Sequence, residues 1–226
     1  KYGKNPAVSV GSFSTIWNGG GGAYTGFPSA AETVTVISSS VNDVAVSGTG
    51  LWTIRLYGLS AEGLEQTEDI VMNGTTAVTS TLSYLRLNRA KGLTAGALQH
   101  NDGNITIAQS VTTATVFAVM PATYNTTMIA AYTIPAGKYG YLLSQRAAIA
   151  NKNAATVDIR IKVRGPGSLF TVGGEAALNS VGTGYISMDF KVPTRMHPLT
   201  DMYIEADAST SVAVVAFMDI LLIDIE

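Results

Sequence analysis

The stretch Val157-Asp158-Ile159-Arg160-Ile161-Lys162-Val163 decides the fold class. Apolar and charged residues alternate with a period of two. In an extended strand, successive side chains point to opposite faces of the sheet. Val157, Ile159, Ile161 and Val163 therefore face a core, and Asp158, Arg160 and Lys162 face water or a partner. The same alternation runs through Thr33-Val34-Thr35-Val36-Ile37, Trp52-Thr53-Ile54-Arg55-Leu56-Tyr57, Tyr185-Ile186-Ser187-Met188-Asp189-Phe190 and Tyr203-Ile204-Glu205-Ala206-Asp207. Residues 213–225 are more continuously apolar, as expected of a strand buried on both faces.

Breakers separate these runs. Ser47-Gly48-Thr49-Gly50, Met72-Asn73-Gly74-Thr75, Asn101-Asp102-Gly103-Asn104 and Arg164-Gly165-Pro166-Gly167 all carry turn chemistry. Residues 51–59, a turn at 60–63 and residues 64–72 read as a β-hairpin. No window reads as a helix; residues 144–150 contain alanines, but their neighbours favour a strand. Strands about ten residues apart with turns between them indicate sandwiches or jelly rolls. The polar, Pro-containing stretch 121–127 suggests a boundary. We expect an all-β chain with two tandem β-sandwich or jelly-roll domains, 29–122 and 128–226. A faint echo at an offset of 105 (Ile54-Arg55 and Ile159-Arg160) suits two similar halves.

Residues 1–28 read differently. Few apolar positions alternate there, and Asn18-Gly19-Gly20-Gly21-Gly22 sits in the middle. Glycine pays the largest entropy to become ordered. The expectation is an extended Gly-rich N-terminal arm that gains order by lying on a neighbour, with Trp17, Tyr24 and Phe27 as anchors.

Composition narrows the function. The 226 residues carry 14 Lys+Arg and 16 Asp+Glu, a net charge of −2, and only 13% of residues are charged. Soluble domains usually have about 25%. An apolar content of 46% rules out disorder, and the absence of cysteine removes disulfides and thiolate metal sites. A pI near 5.7 argues against nucleic-acid binding. No run approaches the ~18 apolar residues of a spanning helix.

Candidate chemistry is sparse. The glycine run lacks the Lys-Ser/Thr and the helix that a phosphate loop requires. His100 and His197 have no ligand or triad partners at recognisable spacing. Glu62, Glu65, Glu68 and Asp69 are the densest carboxylates, and on a hairpin they read as a solvated face, not a glycosidase pair. Asp102-Gly103-Asn104 lacks the acidic positions of a calcium loop. Three triplets, at Asn73, Asn104 and Asn125, match the glycosylation sequon. Arg86, Arg89 and Lys91 form the one basic cluster, either a contact patch for an acidic neighbouring subunit or a solvated face. No cofactor, metal or catalytic residue is indicated.

Several segments in order resemble little-characterised virion proteins of marine tailed bacteriophages. They are Trp17-Asn18-Gly19-Gly20 with Tyr24 and Phe27-Pro28; Gly48-Thr49-Gly50 leading into Thr53-Ile54-Arg55-Leu56-Tyr57-Gly58-Leu59; and Met72-Asn73-Gly74-Thr75-Thr76-Ala77-Val78. Leu85-Arg86-Leu87-Asn88-Arg89-Ala90, Tyr132-Thr133-Ile134-Pro135-Ala136-Gly137-Lys138 and Asp219-Ile220-Leu221-Leu222-Ile223-Asp224 follow. The resemblance implies a non-enzymatic structural role in the virion, assembled in the host cytoplasm. The expected partners are further copies of the chain (a trimer or ring) and the major capsid protein or a neighbouring virion protein, without direct contact to nucleic acid or membrane. Trp17, Tyr24, Phe27, Arg86 and Arg89 are the candidate interface residues. The alternative is a carbohydrate-binding part of a head or tail fibre, with Tyr139 and Tyr141 as candidate sugar contacts.

Overall fold

The computed structural model describes residues 1–19, 24–111, 115–150, 155–180 and 184–226. Among these the secondary structure is all β, and no residue is helical. Residues 1–24 hold β1 (Tyr2–Val8) and β2 (Ser14–Thr15). The middle of the chain holds β3 (Glu32–Ser38), β4 (Leu51–Leu59), β5 (Glu65–Val71), β6 (Val78–Tyr84), β7 (Arg86–Ala95), β8 (Ile105–Gln109) and β9 (Val116–Met120). The rest holds β10 (Ala131–Thr133), β11 (Lys138–Ile149), β12 (Thr156–Arg164), β13 (Thr171–Asn179), β14 (Tyr185–Met196), β15 (Asp201–Ala208) and β16 (Val212–Asp224). The chain divides into two compact units: Lys1–Tyr24 with Ile129–Glu226, and Thr25–Met128. All strand pairings are antiparallel, in four sheets consistent with β-sandwiches.

The first unit has one sheet in the order β1-β16-β11-β14 and another in the order β10-β15-β12-β13, with β2 also paired to β15. Alternation sends Val157, Ile159, Ile161, Ile204, Ala216 and Met218 into a common core, each at most 2% exposed. Each large aliphatic buried this way contributes about 1.5–3 kcal/mol. The apolar strand β16 departs from its expected burial on both faces. Val212, Val214, Ala216 and Met218 are buried, but Phe217, Leu221 and Ile223 are 39%, 47% and 47% exposed.

The opening residues also correct an expectation. Residues 2–8 and 14–15 do not form an extended arm; they are paired strands of the first unit. β1 aligns Tyr2 with Phe217 and Asn5 with Val214 on β16. The chain then crosses to the other sheet, where Thr15 and Ser14 pair with Glu205 and Ala206 on β15. The Ile16 amide donates to the Ile204 carbonyl at 2.9 Å, and the Ala130 amide donates to the Ile16 carbonyl at 2.9 Å. Alternation did not reveal β1 because Gly3 and Asn5 fill its inward positions before Val8. A Cβ on Gly3 would lie 2.2 Å from the Ala130 nitrogen and 2.3 Å from the Ile16 oxygen. Asn5, 1% exposed, donates to the Ser14 hydroxyl at 3.3 Å and the Thr15 carbonyl at 3.0 Å, and accepts from the Ala7 amide at 3.0 Å. Gly20, Gly21 and Gly22 lie outside the described residues.

The second unit has sheets ordered β6-β3-β8-β9 and β5-β4-β7. Its hairpin is the expected one, with Leu59 opposite Glu65 and a positive-φ Gly63 in the turn. The 105-residue offset carries β4 onto β12, and each is the first strand of a hairpin. One end of this unit is organised by Asp43, which is fully buried. Its carboxylate accepts from the Ser38 hydroxyl at 2.6 Å and the Leu51, Asp102 and Gly103 amides at 2.7, 2.8 and 2.9 Å. Gly50 leaves room for it, since a Cβ there would lie 2.2 Å from Asp43 Oδ1. Beside it, Asn101 and Asn125 exchange side-chain-to-amide hydrogen bonds, each at 2.9 Å.

Replacing Asp43 by alanine strips four donors of their acceptor in a buried site, where each orphaned group costs about 1–3 kcal/mol. Asp43→Ala is expected to lower stability by about 3 kcal/mol or more and to speed hydrogen exchange at the Leu51, Asp102 and Gly103 amides. Urea unfolding with amide exchange checks this, and an unchanged midpoint would contradict the assignment.

Candidate interaction surfaces

The candidate interface residues fall into two groups, each engaged with its own unit. Trp17 is 5% exposed, bridges to Ile129 and meets the Tyr24 ring edge-on at 5.1 Å. The Tyr24 amide donates to Thr15 Oγ1 at 3.0 Å. In the second unit the Arg86 guanidinium lies 5.4 Å over the Phe27 ring and donates to the Pro28 and Leu85 carbonyls at 2.8 and 2.7 Å. Arg89 is exposed on β7, 5.9 Å over the Tyr57 ring.

The hairpin carboxylates act as local braces. Asp69 forms a two-pronged pair with Arg55 at 2.6 and 2.7 Å, and this hydrogen bonding holds its carboxyl below the ordinary 3.8. Glu68 accepts from the Thr81 amide and hydroxyl, the Leu82 amide and the Tyr84 hydroxyl. It thereby ties β5 to β6, which belong to different sheets. Glu62 accepts from Ser60 in the hairpin turn, and Asp102 accepts from Ser40 and Asn42. Among the described residues, no three His, Cys, Asp or Glu side chains are grouped to hold a metal ion.

The two outward faces of the first unit differ sharply. The β10-β15-β12-β13 face is ionic and internally paired. Arg160 binds Glu205 at 2.5 Å, and Arg164 binds Asp201, which also accepts from Thr133 Oγ1 at 2.6 Å. Phe13 and Phe170 cover the two guanidinium groups, at 3.5 and 4.3 Å. Burial pushes the Tyr203 hydroxyl up to about 12, and neighbouring Glu205 adds to the shift.

The β1-β16-β11-β14 face is apolar along its two central strands, and its outer strands add Lys4 beside Val215, Asp189 beside Ser144 and Arg195 beside Tyr141. The register aligns Tyr139 with Ile223 and Tyr141 with Leu221 at one end. At the other, Arg146 aligns with Phe217 and Ala148 with Val215, and Tyr2 stacks on Phe217 at 5.2 Å. Between them Asp219 accepts from Ser144 Oγ at 2.6 Å and pairs with Arg146. A bulge between Leu142 and Ser144 places these polar groups outward while Ala147 returns to the core. Sequence reasoning named Tyr139 and Tyr141 only as sugar contacts and missed the rest of the face. The signal was the apolar character of β16 at successive positions on either side of Asp219.

No family model matches the chain, and no curated protein matches it. Among solved structures, the infectious bursal disease virus VP2 subviral particle is similar over 86% of this chain and 56% of that one, at 11% identity and a TM-score of 0.25. This chain thus spans little more than half the length of that protein. The Gx and Gt strain structures of the same virus give 11% and 13% identity, cover 96% and 98% of this chain and 70% of each of theirs, and have TM-scores of 0.25 and 0.24. The likeness to these viral proteins is weak, and scores this low establish no shared topology.

The Ser144 hydrogen bond, followed by Arg146, holds Asp219 below the ordinary carboxylate value of 3.8. Its folded value is lower than its unfolded one, so its contribution to stability is complete above 3.8 and is lost as pH falls through the lowered value. Asp219→Asn is expected to make stability less steeply dependent on pH below 3.8. Urea unfolding at a series of acidic pH values checks this, and identical slopes for the two proteins would contradict it.

Proposed function

We propose that this chain is a non-enzymatic structural protein of a tailed-phage virion that decorates or cements the capsid. The observation that carries the reading is the exposed apolar stripe along β16 and β11, with Phe217, Leu221, Ile223, Tyr139 and Tyr141, on a chain with few charges. Such a face desolvates cheaply, as lasting contact between subunits requires. The ordered resemblance of segments along most of the chain to virion proteins supports it. In this reading the partners are further copies of the chain and the major capsid protein or a neighbouring virion protein, and the protein works in the virion.

A carbohydrate-reading fibre component is the competing role, because Tyr139 and Tyr141 lie on the same face. They are flanked there by the aliphatic Leu221 and Ile223, which favours a protein surface over a sugar. Electron microscopy of particles with and without the protein tests the proposal. Regular surface density that disappears in its absence, together with a less heat-stable capsid, is expected. A particle with unchanged surface and stability would overturn it, and binding on a glycan array would favour the fibre role.

A further inference from the structure

We propose that the outward face of the β1-β16-β11-β14 sheet is a two-fold interface between two copies of this chain. The inference deepens the virion reading by naming a partner and a surface, but it concerns the purified protein and is tested apart from any particle.

The first argument is composition. β16 lies between β1 and β11, yet it is apolar on the outward side as well as the inward one. A strand of that composition normally has both faces covered. Here Phe217, Leu221 and Ile223 remain 39–47% exposed.

The second is size. β11 and β16 run for 12 and 13 residues in a four-stranded sheet. At ~3.3 Å per residue and ~4.8 Å between strands, the three long strands cover about 40 by 14 Å and the seven-residue β1 adds about 23 by 5 Å, roughly 700 Å² in all. That is close to the ~800 Å² per partner of a standard stable interface.

The third is self-complementarity. A two-fold axis lying across the strands at the level of Met218 runs the second copy's strands antiparallel to the first. It sets Leu221 opposite the partner's Val215, and Tyr141 opposite the partner's Ala148. At these positions large side chains meet small ones, as interdigitating sheets require, while Phe217 comes opposite the partner's Asp219. The same operation brings Asp219 level with the partner's Arg146, one strand over, and Arg146 level with the partner's Asp219. Four charges of alternating sign then surround the axis. An isologous contact needs this property, since each patch must complement itself.

Other surfaces of the unit suit the role less. The opposite face carries the internally paired Arg160–Glu205 and Arg164–Asp201 bridges. The β14 edge is blunted by Lys191, Pro193 and an irregular register against β11, features that discourage strand addition.

Sedimentation of the purified full chain tests the proposal. The wild type is expected to be a dimer, and Leu221→Glu a monomer that still gives a cooperative thermal transition. Asp219→Arg and Arg146→Asp each place like charges around the axis, so each alone is expected to be monomeric. Mixed together, the cation-rich and anion-rich copies are expected to recover the dimer, which an effect confined to one chain would not produce. Leu169→Glu changes an 86% exposed residue beyond this face and should leave the mass unchanged. A wild type that is monomeric or trimeric at every concentration overturns the inference. So does a dimer that survives Leu221→Glu and both charge reversals. A dimer that has no place on the particle would keep this interface and overturn the capsid role instead.

Discussion

The first unit depends on the chain's opening residues being shared between its two sheets. β1 extends one sheet and β2 the other, and the Asn5 amide joins them through Ser14 and Thr15. The strands they pair with lie far along the chain; the Met218 amide donates to the Lys1 carbonyl at 2.8 Å, 217 residues away. Neither sheet has its full complement of strands until both ends of the chain are present. Such non-local pairing incurs the loop-closure cost before any packing offsets it, which slows folding. Burial of Val8 and Ile16, both fully inaccessible, supplies the compensating apolar contact.

Much of this architecture was legible in the sequence where one face of a strand was uniformly apolar. β12, β15 and the β4–β5 hairpin follow directly from period-two alternation and turn residues. β1 was hidden because its core-facing positions before Val8 are filled by a glycine that cannot accept a Cβ and an asparagine that satisfies its own hydrogen bonds. Neither registers as hydrophobic, so the segment read as an arm. Asp43 was hidden for a related reason. A single aspartate among Ser38, Ser39, Ser40 and Asn42 reads as turn chemistry, and only the fold brings Leu51, Asp102 and Gly103 to its oxygens. β16 was recognised as a strand, but alternation cannot tell burial within a chain from an apolar surface left for another.

The two outward faces of the first unit show how the low charge content is distributed. The ionic groups are concentrated on the β12–β15 side, where Arg160 and Arg164 are neutralised by carboxylates and covered by Phe13 and Phe170. The β11–β16 side has aromatic and aliphatic residues along its two central strands, with the Asp219–Arg146 pair among them and Lys4, Asp189 and Arg195 on the strands to either side. A surface of this kind repels little and loses water at small cost. That asymmetry, more than the average composition, connects the fold to a structural role.

The central claim is that residues 2–8 belong to the fold itself and do not wait for a neighbour. Hydrogen–deuterium exchange of the purified protein, free of any particle, tests it most directly. The account predicts that the residue 2–5 amides that donate to β16 are protected to the same degree as those of β11 facing the same strand. Exchange there at the rate of an unstructured chain, with protection appearing only on assembly, would contradict it and restore the arm.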